Sequence, residues 1–161
     1  MQFVVETLTP ENWSRLRSLR LAALADSEEI YGDLKLEQGF TSKQWQQLLI
    51  EQNWAALVVD GKDVGLVTAG PTPPERYGDC WIKSWWIHPN YRGKGGAKHL
   101  HDWLIQLCKL KKWQMMALGV FERNSSAISS YERLGFHHVG IRKPSSRANE
   151  FFIIMAQEIK N

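Results

Sequence analysis

The sequence contains little cysteine. Only Cys80 and Cys108 occur among 161 residues, and they lie far apart with no C-x-x-C spacing. A disulfide framework or a structural zinc site needs more cysteines at closer spacing, so neither is supported. The simplest compartment for such a chain is the reducing cytoplasm, which is the predicted localisation.

Long apolar runs are also missing. No stretch approaches the roughly 20 apolar residues that a membrane-spanning helix needs. The first six residues, MQFVVE, lack the charged and long apolar regions of a signal peptide. We therefore expect no membrane partner.

Neither sign of charge dominates. Lys and Arg number 20 against 17 Asp and Glu, a net charge of +3, and the basic residues are scattered among acids. A nucleic-acid groove requires a dense basic stripe, so we expect no nucleic-acid partner. A small nucleic-acid-binding protein using basic and aromatic residues is an alternative, and it would bind with strong salt dependence.

Histidine pairs do not indicate a metal site. His99 and His101 are two apart on a predicted helix, and His137 and His138 are adjacent on a predicted strand. Neither spacing places both rings of a pair on one face. We therefore expect no metal.

The length and composition suit one globular domain. Hydrophobic residues make up 43% and charged residues 23% of the chain, as in ordinary domains with a single core. We predict one domain over residues 1–161.

Apolar periodicity and capping signals predict the order β-α-α-β-β-β-α-β-α-β-β. A strand over residues 3–8 precedes a helix on whose polar side Arg15, Arg17 and Arg20 are expected. Residues 26–39 are acidic and irregular and read as a short helix or a loop. Asp60-Gly61 between apolar runs predicts a hairpin, and strands over 139–141 and 151–155 should enclose a loop over 142–150. This order is typical of an α/β domain with a mixed sheet covered on both faces.

A glycine-rich, basic turn follows the strand over residues 80–87. Gly93, Gly95 and Gly96 let the backbone approach a ligand closely, and Arg92 and Lys94 add positive charge. The N-terminus of the following helix presents unpaired N–H groups and the positive end of its dipole. The turn is therefore a candidate phosphate-binding loop. It matches neither G-x-G-x-x-G nor the P-loop.

Two motifs resemble hallmarks of the GCN5-related N-acetyltransferase (GNAT) family. The first is R/Q-x-x-G-x-G/A, here Arg92-Gly93-Lys94-Gly95-Gly96-Ala97. The second is N-x-x-A-x-x-x-Y-x-x-x-G-F, here Asn124-x-x-Ala127-x-x-x-Tyr131-x-x-x-Gly135-Phe136. The resemblance implies a single-domain fold with a mixed, mostly antiparallel central sheet and helices on both faces. It also implies acetyl-CoA as co-substrate without a metal, and a homodimer by family habit.

The resemblance also implies cofactor roles for individual residues. Asn124 would contact the pantetheine or phosphate region, and the Tyr131 hydroxyl would lie near the thioester sulfur as general acid. Strand-like hydrogen bonds from the backbone would hold the pantetheine, while the glycine loop would hold the phosphates; the residues concerned are Trp86, Ile87, His88, Arg92, Gly93, Lys94, Gly95, Gly96 and Ala97. One departure is Gly96, where the family commonly carries an aliphatic residue, so we expect a loose first helical turn.

The general base is left open by the sequence. Many family members carry a glutamate on the strand before the loop, and this strand has none. Asp79 is the nearest carboxylate, and the imidazole of His88 can accept a proton near neutral pH. Water relayed from Glu28 or Glu122 is a further alternative.

The predicted reaction is direct acetyl transfer to a primary amine of a small molecule or peptide in a ternary complex. Neither cysteine lies in a nucleophile motif, so no acyl-enzyme is required. Glu28 and Glu29 lie in the segment that commonly lines the acceptor channel in this fold, and we expect them to attract a cationic amine. The alternative is a non-catalytic sensor or pseudoenzyme that binds CoA or acyl-CoA, suggested by Gly96 and the missing glutamate.

Overall fold

The computed structural model describes residues 1–160. One-turn 3-10 helices occupy Pro10–Asn12 and Pro89–Tyr91. The strands and α-helices of this region are β1 (Phe3–Leu8), α1 (Trp13–Asp26), α2 (Leu34–Gln38), α3 (Ser42–Glu51), β2 (Asn53–Val59), β3 (Lys62–Pro71), β4 (Cys80–Ile87), α4 (Gly96–Lys111), β5 (Met115–Phe121), α5 (Ser125–Leu134), β6 (His137–Pro144) and β7 (Phe151–Glu158). The order matches the predicted one except for one additional short helix, α2, which occupies the stretch read as a short helix or a loop.

The strands form a mixed, mostly antiparallel sheet. Hydrogen-bonded neighbours follow the order β1-β2-β3-β4-β5-β7-β6. The pairs β1-β2, β2-β3, β5-β7 and β6-β7 are antiparallel, whereas β4 pairs with β5 in parallel. The predicted class of sheet is therefore confirmed.

Backbone contacts divide the chain into two compact units. The first comprises Met1–Gly70 and Lys83–Leu104, and the second comprises Pro71–Ile82 and the chain from Ile105 onward. That residues 1–161 form one domain stays a prediction.

The hairpin in the first unit is formed as the sequence predicts. Asp60 and Gly61 both have positive φ, 50° and 76°, as a two-residue turn between twisted antiparallel strands requires. Beneath the strands, α1 and α3 supply apolar side chains to a core whose fully buried members include Leu16, Trp45 and Leu66.

Arg20 does not lie on the polar side of α1, and that prediction is wrong. Its side chain is 11% exposed and forms a two-point ion pair with Glu37, with nitrogen–oxygen distances of 2.9 and 3.1 Å. It also donates to the carbonyl of Tyr31 at 2.6 Å and to the hydroxyl of Ser84 at 2.9 Å. A buried guanidinium needs such partners, and they come from residues 11 to 64 positions away, beyond the reach of helical periodicity.

Strand β6 in the second unit is longer than predicted. Arg142, Lys143 and Pro144 pair with Ile153, Phe152 and Phe151 of β7. The predicted loop over 142–150 therefore shrinks to residues 145–150. The apolar pattern ends at residue 141, but ladder hydrogen bonds come from the backbone and do not require apolar side chains.

Gly96 begins α4 in a tightly packed position, so the expected loose first turn is wrong. A Cβ atom there would lie 2.7 Å from Leu57 Cδ2, and 3.4 Å from both Ile87 Cδ1 and Phe3 Cε1. These three side chains fill the space that a larger residue at position 96 would need.

We predict that Gly96→Leu lowers the free energy of unfolding by about 1–3 kcal/mol, because the new side chain overpacks the contact with Leu57. Urea denaturation measures the change. The double variant Gly96→Leu/Leu57→Ala should lose less than the sum of the two single variants, because each replacement relieves the other. Strictly additive losses would contradict this account of the packing.

Candidate functional site

The end of β4 leads into a tightly bonded turn. The backbone N–H of His88 donates to the carbonyl of Val64 at 2.8 Å, which continues the pairing with β3 past Ile87. The His88 ring then caps the turn Pro89–Tyr91, because its Nδ1 accepts from the N–H of Asn90 at 3.1 Å. These contacts fix the direction in which the chain enters the glycine loop.

The glycine loop is exposed and open to a ligand. Gly93 and Gly95 have φ of 72° and 90°, and nothing lies within 4 Å of the position a Cβ would take at either residue. Lys94 is also exposed, and α4 begins directly after Gly95. The first N–H groups of a helix have no partner within it. The structure therefore joins an accessible backbone to a helix N-terminus, a geometry that suits phosphate oxygens.

Arg92 is fixed to the protein by its own side chain. Its Nε donates to the carbonyl of Ile87 at 2.8 Å, and its Nη2 donates to Asp26 Oδ2 at 2.5 Å. The same carboxylate oxygen accepts from the indole Nε1 of Trp86 at 2.9 Å. The hydrogen bond from Trp86 and, to a smaller extent, the one from Arg92 hold the pKa of Asp26 below its usual value. No local sequence pattern singles out Asp26, which begins an acidic stretch of a kind that is usually solvated surface.

Ser84 interrupts the regular geometry of β4. Its φ is 54°, a left-handed value that costs energy for a residue with a side chain. Such a conformation persists where its surroundings hold it, and here the Ser84 hydroxyl accepts from buried Arg20. Beyond this irregularity Trp86 is buried, while half-buried Trp85 stacks on His101 with ring centroids 6.4 Å apart.

Both principal candidates for the general base accept hydrogen bonds from backbone amides. Asp79 Oδ2 accepts from Gln114 and Met115, at 2.8 and 3.1 Å, and so holds the start of β5. In neutral His88, acceptance at Nδ1 places the proton on Nε2. The nitrogen of His88 that could take a proton is therefore already engaged, whereas Asp79 Oδ1 has no hydrogen bond within residues 1–160.

Some acidic residues are predicted to attract the acceptor or to relay a proton through water. They differ in their exposure and in their ion pairs. Glu28 is exposed and Glu29 is half-buried, and both follow the end of α1. Glu122 pairs with Arg142, whose hydrogen bond holds the pKa of that carboxyl below its usual value.

In the second unit, α5 and its N-cap carry Asn124 and Tyr131, the two residues of the second motif with predicted cofactor roles. Asn124 caps the helix by accepting from the N–H of Ala127 at 3.2 Å, and Gly135 ends it with φ of 109°. Tyr131 lies half-buried with its ring edge-to-face against Phe136, at 5.9 Å between centroids. Burial raises the pKa of Tyr131 to about 12, so its hydroxyl is protonated at neutral pH.

Within the first unit, the structure brings several predicted site residues together. Trp86 and Arg92 meet at Asp26, and the Trp86 and His88 rings lie 6.1 Å apart. Within the second unit, Asn124 caps α5 and Tyr131 lies on it. Over residues 1–160, no three potential metal ligands gather and no helix is both long and apolar enough to cross a membrane.

Comparison with curated proteins identifies relatives over about half of the chain. The chain is 35% identical over 88 residues to N-acetylaspartate synthetase of Xenopus tropicalis, a match covering 55% of this chain and 31% of that protein. It is 35% identical over 89 residues to spermine/spermidine N(1)-acetyltransferase of Bacillus subtilis strain 168, covering 52% of this chain and 59% of that protein. The chain thus spans about a third of the first relative and three fifths of the second.

Solved structures share the fold over nearly the whole chain. A GNAT-family acetyltransferase from Streptococcus pneumoniae superposes with a TM-score of 0.77 at 19% identity, covering 99% of this chain and 100% of that one. The Salmonella typhimurium protein yncA, solved with its cofactor acetyl-CoA, superposes with a TM-score of 0.74 at 15% identity, covering 100% and 96%.

The sequence model of the acetyltransferase (GNAT) family matches residues 15–136. This region includes both motifs on which the resemblance was based. Because the match covers well over half of the chain, the protein belongs to the acetyltransferase (GNAT) family, and the family prediction is confirmed.

Proposed function

We propose that this protein transfers an acetyl group from acetyl-CoA directly to a primary amine of a small molecule or peptide. The observation that carries the proposal is the open backbone at Gly93 and Gly95 immediately before α4. Family membership and the amine acetyltransferase among the relatives support it. The acceptor, the catalytic roles and the ternary complex are parts of this proposal.

The loop residues fit the phosphates of CoA. Bare Cα atoms at Gly93 and Gly95 admit phosphate oxygens to the backbone amides, and exposed Lys94 adds positive charge. The backbone from Trp86 to His88 would hold the pantetheine, and Asn124 would contact it in addition to capping α5. When bound, acetyl-CoA supplies an activated thioester as the acetyl donor.

Tyr131 is the proposed general acid. As the amine attacks and the carbon–sulfur bond breaks, the departing thiolate needs a proton. The buried Tyr131 hydroxyl keeps its proton across the neutral range. The two cysteines are both fully buried, and the Cys108 hydrogen bond together with burial raises the pKa of the Cys80 thiol. Both facts favour direct transfer over an acyl-cysteine.

Asp79 is the better candidate for the base that takes the proton from the amine. Its Oδ1 is open while Oδ2 is held by two amides, whereas His88 would have to break its bond to Asn90 first. On the acceptor side, we propose that Glu28 and Glu29 attract a cationic amine. One relative is a spermine/spermidine acetyltransferase, and spermine is a cation of this kind.

Calorimetric titration with acetyl-CoA and CoA tests the proposed function. Wild-type protein should bind both, and Gly95→Glu should weaken binding at least about tenfold by placing a side chain and a negative charge beside the phosphates. Gly61→Glu is the matched control, because Gly61 also has positive φ and open space around it.

Thiol release is then followed with a panel of polyamines, amino acids and peptides. Release with an amine supports the enzyme. If the wild-type protein binds neither acetyl-CoA nor CoA, the proposal is overturned. If it binds acetyl-CoA but releases no thiol with any amine, the non-catalytic sensor is favoured.

Tyr131→Phe should lower kcat by about 100-fold or more, the usual scale for removing a general acid. The affinity for CoA should stay within about twofold, because the ring and its packing on Phe136 remain. Steady-state kinetics and calorimetry measure the two quantities. Wild-type turnover in this variant would remove Tyr131 from the role of acid.

Asp79→Asn and His88→Asn separate the two candidate bases. Each asparagine retains an oxygen that can accept the backbone hydrogen bonds of the residue it replaces, while the basic group is lost. We expect kcat/KM to fall about 100-fold in Asp79→Asn and to change little in His88→Asn. The reverse result would assign the base to His88, and thermal denaturation of both variants checks that the fold is retained.

A further inference from the structure

Asp26 joins three parts of the first unit through one carboxylate oxygen. It is the last residue of α1, and its Oδ2 accepts from Trp86 of β4 at 2.9 Å and from Arg92 at 2.5 Å. Trp86 is only 5% exposed. The carboxylate therefore links the end of a helix, a buried strand residue and the first residue of the glycine loop.

Arg92 is held on two sides, which restricts how the loop can move. Its Nη2 contacts Asp26, and its Nε contacts the carbonyl of Ile87 at 2.8 Å. Gly93 follows directly and has no side chain of its own to restrict it. Glycine adopts many backbone conformations, so Gly93 does not by itself fix the direction of the loop amides. That direction therefore depends on how firmly the neighbouring Arg92 is held.

The arrangement differs from an ordinary surface ion pair. Isolated pairs between exposed charges are screened by water and contribute little. Here the Arg92 side chain is half exposed, but the Asp26 side chain is only 27% exposed and is also bonded to a buried indole. The Trp86 bond fixes the carboxylate, and the fixed carboxylate in turn fixes the guanidinium.

We propose that Asp26 is a positioning residue for cofactor binding. By holding Arg92 against β4, it sets the direction in which the amides after Arg92 face the phosphates of CoA. Two of the guanidinium donors of Arg92 serve the protein, so this arginine acts on the cofactor mainly by fixing the loop. The inference rests on the proposed function, because it assumes that the loop binds CoA.

The test compares Asp26→Asn with wild type. The asparagine is of the same size and keeps one oxygen for the two donors, but it loses the negative charge that attracts Arg92. We expect the Kd for CoA, measured by calorimetry, to rise about tenfold, the scale of one charged hydrogen bond. The KM for acetyl-CoA should rise by the same factor, while kcat at saturating acetyl-CoA stays within about twofold.

Asp63→Asn is the matched control. Asp63 of β3 binds a different arginine, Arg15 of α1, accepting from it at 2.8 and 3.0 Å. Removing the Asp63 charge weakens the link between α1 and β3 and leaves the contacts of the glycine loop unchanged. We expect Asp63→Asn to bind CoA as wild type does, and Asp26→Glu, which keeps the charge, to recover part of the lost affinity.

The outcomes separate this inference from the proposed function. If wild type binds CoA and Asp26→Asn binds equally well, or no worse than Asp63→Asn, the positioning role is wrong and the proposed function stands. A loss confined to kcat would likewise refute it. If wild type does not bind CoA, both the function and this inference fall.

Discussion

The buried pair of Arg20 and Glu37 is the interaction on which the first unit depends most. Both side chains are about one-tenth exposed, and removing one partner of such a pair typically costs about 3–5 kcal/mol because the other charge is left buried. Through Arg20 the pair also holds the carbonyl of Tyr31 and the hydroxyl of Ser84. It thereby ties the segment after α1 to the strained residue of β4.

The constraint on β4 extends to the loop that follows it. Ser84 is held in a left-handed conformation by Arg20, and two residues later Trp86 is held by Asp26. Strain at a residue with a side chain persists where the surrounding structure holds it. The two contacts together give the strand before the glycine loop a fixed, irregular path, which an unstrained strand would not adopt.

Elements with local signals could be predicted, and long-range polar contacts could not. The Asp60-Gly61 turn and the glycine loop each follow from a few neighbouring residues. Arg20 was misplaced because its partners lie as far away as Ser84, and periodicity along one helix carries no information about a distant strand. Asp26 was missed for the same reason, since its two donors are 60 and 66 residues further along the chain.

The same distinction explains why the cofactor can be inferred more readily than the acceptor. Phosphate recognition at a helix N-terminus uses backbone amides, so it demands glycine at fixed positions and leaves a recognisable pattern. Acceptor recognition uses side chains whose charge can change without altering the fold. In this chain Glu37, one acid of the acidic segment, is neutralised by Arg20, while Glu28 remains exposed. Counting acids in the sequence therefore overstates the negative charge available to an acceptor, and only the ion pairs of the folded chain show which carboxylates remain.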